Sequence, residues 1–228
     1  MKKTISRLFF AIFCLMILTT GCCTAASAPR ISILGDSYST FTGWIPKGNA
    51  AYYPRPQYND VKNAEECWWH LVTTAIGGKL EKNESWSGST ICHTGYKGKD
   101  FSSFSFVTRA GRLGNPSLIL VCGGTNDSWA GVPIGDFKWN NWTKEDLYKF
   151  RPAMAKLLAG LKSFYPKARI FFILNSDLKP VINDSIHEIC KHYQIPCIDL
   201  KNIEKQSGHP SVKGMKAFAD QVVEAIGK

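Results

Sequence analysis

The chain lacks an apolar run long enough to cross a bilayer: its longest, Leu8 to Leu18, is about half of the roughly twenty residues that a spanning helix needs. None of its 8 cysteines forms a Cys-x-x-Cys pair, which argues against a zinc site. It has no run of five like charges and no arginine-rich helix, so nucleic acid is a poor partner. Repeats, low-complexity tracts and long Gly/Ser linkers are also missing. What is left, 228 residues that are 44% hydrophobic and 20% charged, reads as one globular domain with a core of its own.

The N-terminus carries Lys2, Lys3 and Arg7, then the short apolar stretch, then Thr19-Thr20-Gly21-Cys22. This is the pattern of an export signal rather than of a folded element. The small residues before Cys22 resemble a bacterial lipoprotein cleavage site, at which the cysteine becomes the lipidated first residue. Thr19 departs from it, standing where a bulky aliphatic is usual. A cut near Ala26-Ser27-Ala28 is the alternative, disfavoured because Pro29 would follow it. The expected layout is a signal peptide over 1–21, a tether over 22–29 and a domain over 30–228, exported and held at the cell envelope by a lipid on Cys22 alone. Losing Lys2, Lys3 and Arg7 takes the formal charge from +10 to +7, and the remaining lysines are scattered singly. They describe a solvated basic surface. Of the cysteines beyond Cys22, Cys190 and Cys197 could pair in an exported protein or stay as buried thiols.

Three aliphatic runs read as buried parallel strands: Ile31 to Leu34, Ser117 to Cys122 and Arg169 to Leu174. Lys79 to Trp86 and Pro196 to Leu200 are weaker candidates. Helical patterns lie between them, over 63–76, 103–113, 143–164, 179–193 and 211–226, with Thr143 as a cap and Gly77 and Gly227 past helix ends. Strand and helix alternate throughout, which predicts an α/β fold: a three-layer α/β/α sandwich around a parallel sheet of about five strands.

In such a sheet the carboxyl ends of all strands open on one edge, so loops far apart in sequence converge there. Those loops carry Gly35-Asp36-Ser37, Ser87-Gly88-Ser89, Gly123-Gly124-Thr125-Asn126-Asp127 and Gly208-His209. Each fragment alone is an ordinary turn. Together they hold the parts that acyl transfer requires. Ser37 is a candidate nucleophile and His209 its base, and the amides of Ser37 and Gly88 with the Asn126 side-chain NH2 are candidate donors to an oxyanion. Asp36 is expected to order the nucleophile turn by accepting backbone amides.

These residues, from Gly-Asp-Ser-Tyr through Gly-Gly-Thr-Asn-Asp to His-Pro-Ser, resemble the SGNH (GDSL-type) hydrolases, whose name refers to a serine, glycine, asparagine and histidine at the places of Ser37, Gly88, Asn126 and His209. The resemblance spans nearly all of the chain beyond the signal. It implies a flavodoxin-like α/β/α fold and ester or thioester hydrolysis without metal or cofactor. One position departs from the family. An aspartate usually stands three residues before the histidine, orienting the imidazole and stabilising its charged form; here that place is Gln206. A Gln206 side-chain oxygen, a nearby backbone carbonyl, or Glu204 at a less suitable spacing could accept from the ring NH instead.

Two long insertions flank these loops. Thr40 to Asp60 contains Trp44, Tyr52 and Tyr53, and Asp127 to Thr143 contains Trp129 and Trp139. Loops of this length with many aromatics are usually functional, and rings mixed with Asn, Gly and Lys suit stacking on sugar faces. Trp44, Tyr53, Trp129 and Trp139 are therefore candidate substrate contacts, though the same rings could simply fold the loops onto the body. The expectation is an esterase removing small acyl groups such as acetyl from a glycan. A lipid or thioester hydrolase is the alternative enzyme, and a surface glycan-binding protein with a decayed site is the alternative class.

Overall fold

A computed structural model describes residues 27–227. The expected signal peptide and Cys22 lie outside the described residues. Five strands, β1 (Arg30–Gly35), β2 (Lys79–Asn83), β3 (Leu118–Cys122), β4 (Arg169–Leu174) and β5 (Cys197–Asp199), form one parallel sheet in the order β2-β1-β3-β4-β5. The three aliphatic runs are its central strands. Every residue of β3 is buried, as a strand covered on both faces requires. β2 gave a weak signal because it is an edge strand, with Lys79 and Glu81 exposed on one flank.

Side chains alternate between two apolar layers. Ile31, Ile33, Leu120 and Ile173 face α1 (Trp68–Ala75) and α6 (Val212–Ile226), where Trp68 stacks on Phe218 with ring centroids 4.5 Å apart. Leu34, Ile119, Val121 and Phe172 face α2 (Phe106–Arg109), α4 (Phe150–Phe164) and α5 (Pro180–Tyr193). Each fully buried side chain of this size contributes roughly 1.5–3 kcal/mol. The sheet is thus held from both sides, which fixes the strand ends that carry the loops.

Helix boundaries differ from the periodic pattern where a one-turn 3-10 helix precedes the α-helix proper. Ala64–Glu66 precedes α1, and Glu145–Tyr148 precedes α4. Thr143 does cap, but it caps that turn: its Oγ accepts from the Asp146 amide at 3.3 Å. One helix, α3 (Thr125–Ala130), stands where a turn was expected, and a two-stranded hairpin of β6 (Lys205–Gln206) and β7 (His209–Pro210) precedes α6. Cys190 and Cys197 are thiols, as are Cys67, Cys92 and Cys122.

Candidate active site

β1 ends at Gly35, whose sheet partner is Cys122 of β3, so the turns after these two strands begin side by side. β1 has β2 on one side and β3 on the other, the place where chain direction across the sheet reverses and where open α/β sheets bind ligands. Asp36 starts a single 3-10 turn, Ser37–Ser39, and its carboxylate accepts from the Tyr38 amide at 3.1 Å, as expected. Ser37 is thereby held on a sharp turn with its hydroxyl at the sheet's edge.

His209 arrives from the other end of the chain. Ser207 and Gly208, both at positive φ (48° and 76°), form the two-residue loop that reverses β6 into β7. Such a loop requires left-handed backbone at both central positions, which glycine adopts without strain and serine less readily. The reversal brings the imidazole Nε2 to 2.9 Å from Ser37 Oγ and turns Nδ1 toward the Ser207 carbonyl at 3.1 Å. A carbonyl can only accept, so Nδ1 carries the hydrogen and Nε2 presents its lone pair to the serine hydroxyl. Burial pushes the His209 pKa below its ordinary 6.5, the Ser207 hydrogen bond opposes this, and Arg55 and Lys205 add to it. At neutral pH the ring is neutral, as a base must be.

The two side chains considered for orienting the ring are engaged elsewhere. Gln206 Oε1 accepts from the Asp60 amide at 2.8 Å, while Glu204 accepts from Ser211 Oγ at 2.7 Å and pairs with Lys213 at 3.3 Å. Strand pairing explains it: residue 206 lies opposite 209 in a two-residue antiparallel ladder, and its side chain is drawn to the neighbouring 40–60 loop.

Asn126 sits in the first turn of α3 and is 2% exposed. Its Nδ2 donates to the Ser89 carbonyl at 3.0 Å, next to Gly88, and its Oδ1 accepts from the Tyr96 hydroxyl at 2.6 Å. The Ser89 carbonyl, which can only accept, thus fixes which end of the carboxamide is the donor. Arg109, fully buried, ties the loops together by donating to the carbonyls of Glu84, Phe104 and Gly35 and to Ser89 Oγ. Asp127 accepts from the Ile91 and Cys92 amides and so pins the stretch after Gly88 to α3. Tyr38 donates to the Gly208 carbonyl at 2.6 Å and Asn175 donates to the Tyr38 hydroxyl at 3.3 Å. These supports were missed in the sequence because each acts from a position with no motif of its own. Only Asp127 and Tyr38 carried a signal, as the neighbours of Asn126 and Ser37.

The four candidate substrate aromatics separate. Trp129 is half-exposed beside the site, its ring 6.1 Å from that of His209. Tyr53 is fully buried and donates to the Pro210 carbonyl at 2.8 Å, a support rather than a contact surface. Trp44 packs on Trp69 and His70, and Trp139 stacks between Phe137 and His192 at the end of α5. Both rings pack against helix residues, with Trp139 half-buried and Trp44 keeping 42% of its surface exposed. Among the described residues, His187, Cys197 and Asp199 bring ligand-type atoms within 4.8 Å of one another. They lie on α5 and β5, where His187 Nε2 stands 3.1 Å from an Asp199 carboxylate oxygen.

Sheet order, strand-end loops and the residues gathered on them define an esterase-type hydrolase of α/β/α architecture. The chain belongs to the GDSL-like lipase/acylhydrolase family, whose model matches residues 29–226. It is similar to crystal structures of two proteins described as GDSL-like lipases. One, from Bacteroides uniformis, is 52% identical over 88% of this chain and 96% of that one, with a TM-score of 0.86. The other, from Bacteroides ovatus, is 48% identical over 88% and 99%, with a TM-score of 0.87. A carbohydrate esterase family 2 enzyme from Myceliophthora fergusii shares the fold at 19% identity over 89% and 67%, with a TM-score of 0.61. No curated protein matches the chain.

Proposed function

We propose that the protein is a serine esterase that removes small acyl groups, acetyl above all, from a glycan, with Ser37 as nucleophile and His209 as base. The observation that carries this reading is the 2.9 Å contact between Ser37 Oγ and His209 Nε2, with Nδ1 held by the Ser207 carbonyl. As Ser37 Oγ attacks the ester carbonyl, its proton passes to Nε2, and the carbonyl oxygen becomes an oxyanion facing the amides of Ser37 and Gly88 and the second hydrogen of Asn126 Nδ2. Each such donor lowers the barrier by roughly 3 kcal/mol. His209 then gives its proton to the leaving alcohol, and a water, deprotonated by the same nitrogen, releases the acid from Ser37. Intact geometry at this pair speaks against a decayed site.

Substrate class follows from what surrounds the serine. Ser37 is 3% exposed and Asn126 2%, which favours an acyl group of one or two carbons over a long chain. Trp129 offers one exposed face at the rim, suited to a sugar ring. Hydrolysis of para-nitrophenyl acetate is expected to exceed that of the decanoate by at least tenfold in kcat/KM. A rate that rises with chain length would support a lipid substrate and overturn the glycan reading. We further propose that the protein is exported and anchored by a lipid on Cys22, which radiolabelled palmitate incorporation, lost in Cys22→Ala, would test.

A further inference from the structure

His209 is oriented by a carbonyl where the SGNH resemblance implies a carboxylate, and a carbonyl orients the ring without supplying negative charge. The charges acting on His209 are both cationic, Arg55 and Lys205. Something else must meet the positive charge that the ring acquires when it takes the serine proton.

The Tyr52 ring lies on the imidazole with centroids 3.5 Å apart and planes 6° from parallel. Other rings approach only at an angle or edge-on: Tyr38 at 5.3 Å, Trp129 at 6.1 Å and Tyr53 at 6.3 Å. A centred, face-to-face stack is the arrangement that two neutral aromatic rings avoid, because both faces are negative. It is also the arrangement that a cation over an aromatic face prefers. The contact therefore strengthens when His209 is protonated, the state that the reaction creates.

We propose that Tyr52 is a positioning residue that stabilises the His209 imidazolium during proton transfer, in the role that the family gives to an aspartate. The inference rests on the Ser37–His209 reading above. Because the stack strengthens toward the transition state rather than on substrate binding, it acts on turnover.

The loop that brings Tyr52 is fastened to both partners. Thr40 Oγ1 donates to the Ser37 carbonyl at 3.0 Å and accepts from the Tyr52 amide at 2.8 Å, linking the nucleophile turn to the stacked residue. Tyr53 and Asn59 donate to the Pro210 carbonyl at 2.8 and 3.1 Å, and the Asp60 carboxylate accepts from the Val212 amide at 2.9 Å. Gln206 completes the clasp by accepting from the Asp60 amide. The residue in the aspartate's place thus holds the loop that carries the substitute. Arg55 lies over the Tyr52 ring at 5.5 Å and over Tyr58 at 4.9 Å. It repels a charged His209 and so keeps the resting ring neutral.

The test is the pH dependence of kcat/KM on a small ester, whose acidic limb reports His209 in the free enzyme. Tyr52→Leu is expected to lose about 5- to 30-fold in kcat with little change in KM, and to move the acidic limb to lower pH. Tyr52→Phe keeps the ring face and should stay within about threefold with an unmoved limb. Arg55→Gln should move the limb the opposite way, to higher pH. Should Tyr52→Leu fail to fold, replacement of Tyr52 by pentafluorophenylalanine keeps the shape while reversing the charge on the ring face. It should then behave as described for Leu. An acidic limb unmoved in both, or equal losses for Phe and Leu, would overturn the proposal. Ser37→Ala separates the two levels: if it still hydrolyses the ester, the Ser37–His209 reading falls. If Ser37→Ala is inactive while the limb stays fixed in the Tyr52 variants, only the role of Tyr52 falls.

Discussion

Asp36 is buried next to Ser37, with Asp127 and Arg109 as charged neighbours. Burial, reinforced by Asp127, raises its pKa to about 7 against the pull of the Tyr38 amide and Arg109, and burial raises Asp127 to about 6. A carboxyl whose folded pKa is raised favours the fold while protonated; that contribution is complete below the unfolded value near 4 and is lost as pH rises through about 7. Asp36→Asn keeps the oxygen that caps the turn and removes the titration. Its thermal midpoint relative to the native chain should therefore rise between pH 5 and pH 8, by an amount on the order of a few kcal/mol in stability. A difference that stays constant over that range would contradict the assignment. Gln206 gives a second prediction at this scale. Since the ring is oriented by a backbone carbonyl, Gln206→Ala should reduce turnover by less than about tenfold, through a loosened 40–60 loop alone. A loss of 10³ or more with the fold intact by circular dichroism would make the side chain itself the orienting group.

The hairpin of β6 and β7 hands His209 to α6, and the joint between them is tight. Ser211 caps α6 by accepting from the Gly214 amide at 3.1 Å, and a β-carbon on Gly214 would stand 2.0 Å from the Glu204 carbonyl oxygen. Alanine is the better helix former by about 1 kcal/mol, yet at this position the helix would have to move away from the hairpin. Gly214→Ala should lower the thermal midpoint and, by displacing His209, lower turnover with it. An unchanged midpoint would show that the joint yields. The same scale shows what could be read in advance. β1, β3 and β4 were legible because burial on both faces demands unbroken aliphatic runs, and α5 and α6 because one apolar stripe repeats over four turns. α3 was not, since Thr125, Asn126, Asp127 and Ser128 are weak helix formers. Tertiary bonds hold it: Asp127 to the Ile91 and Cys92 amides, and Ser128 Oγ accepting from Lys179. The β6–β7 hairpin was hidden because two-residue strands have no period to detect.

For the whole molecule, the sheet order is what turns four scattered loops into one site, and it brings the first strand's Ser37 to His209 across 172 positions of sequence. That convergence was legible from strand-end positions alone. The support around it was not: Arg109, Tyr96 and Asn175 act through contacts set by packing, and their spacing in sequence is unrelated to the motif residues they hold. Of the insertion aromatics, Tyr52 and Trp129 reach His209 while Trp44 and Trp139 cover helices, a division that depends on which helix each loop meets. The proposed hydrolysis depends on Ser37 as the nucleophile. Its most direct test is to inactivate the protein with a fluorophosphonate and map the adduct by peptide mass spectrometry. One phosphonyl group on Ser37, formed in proportion to lost esterase activity and absent in both Ser37→Ala and His209→Ala, is the expected result. Inactivation with the adduct on another residue, or full activity retained by Ser37→Ala, would contradict it.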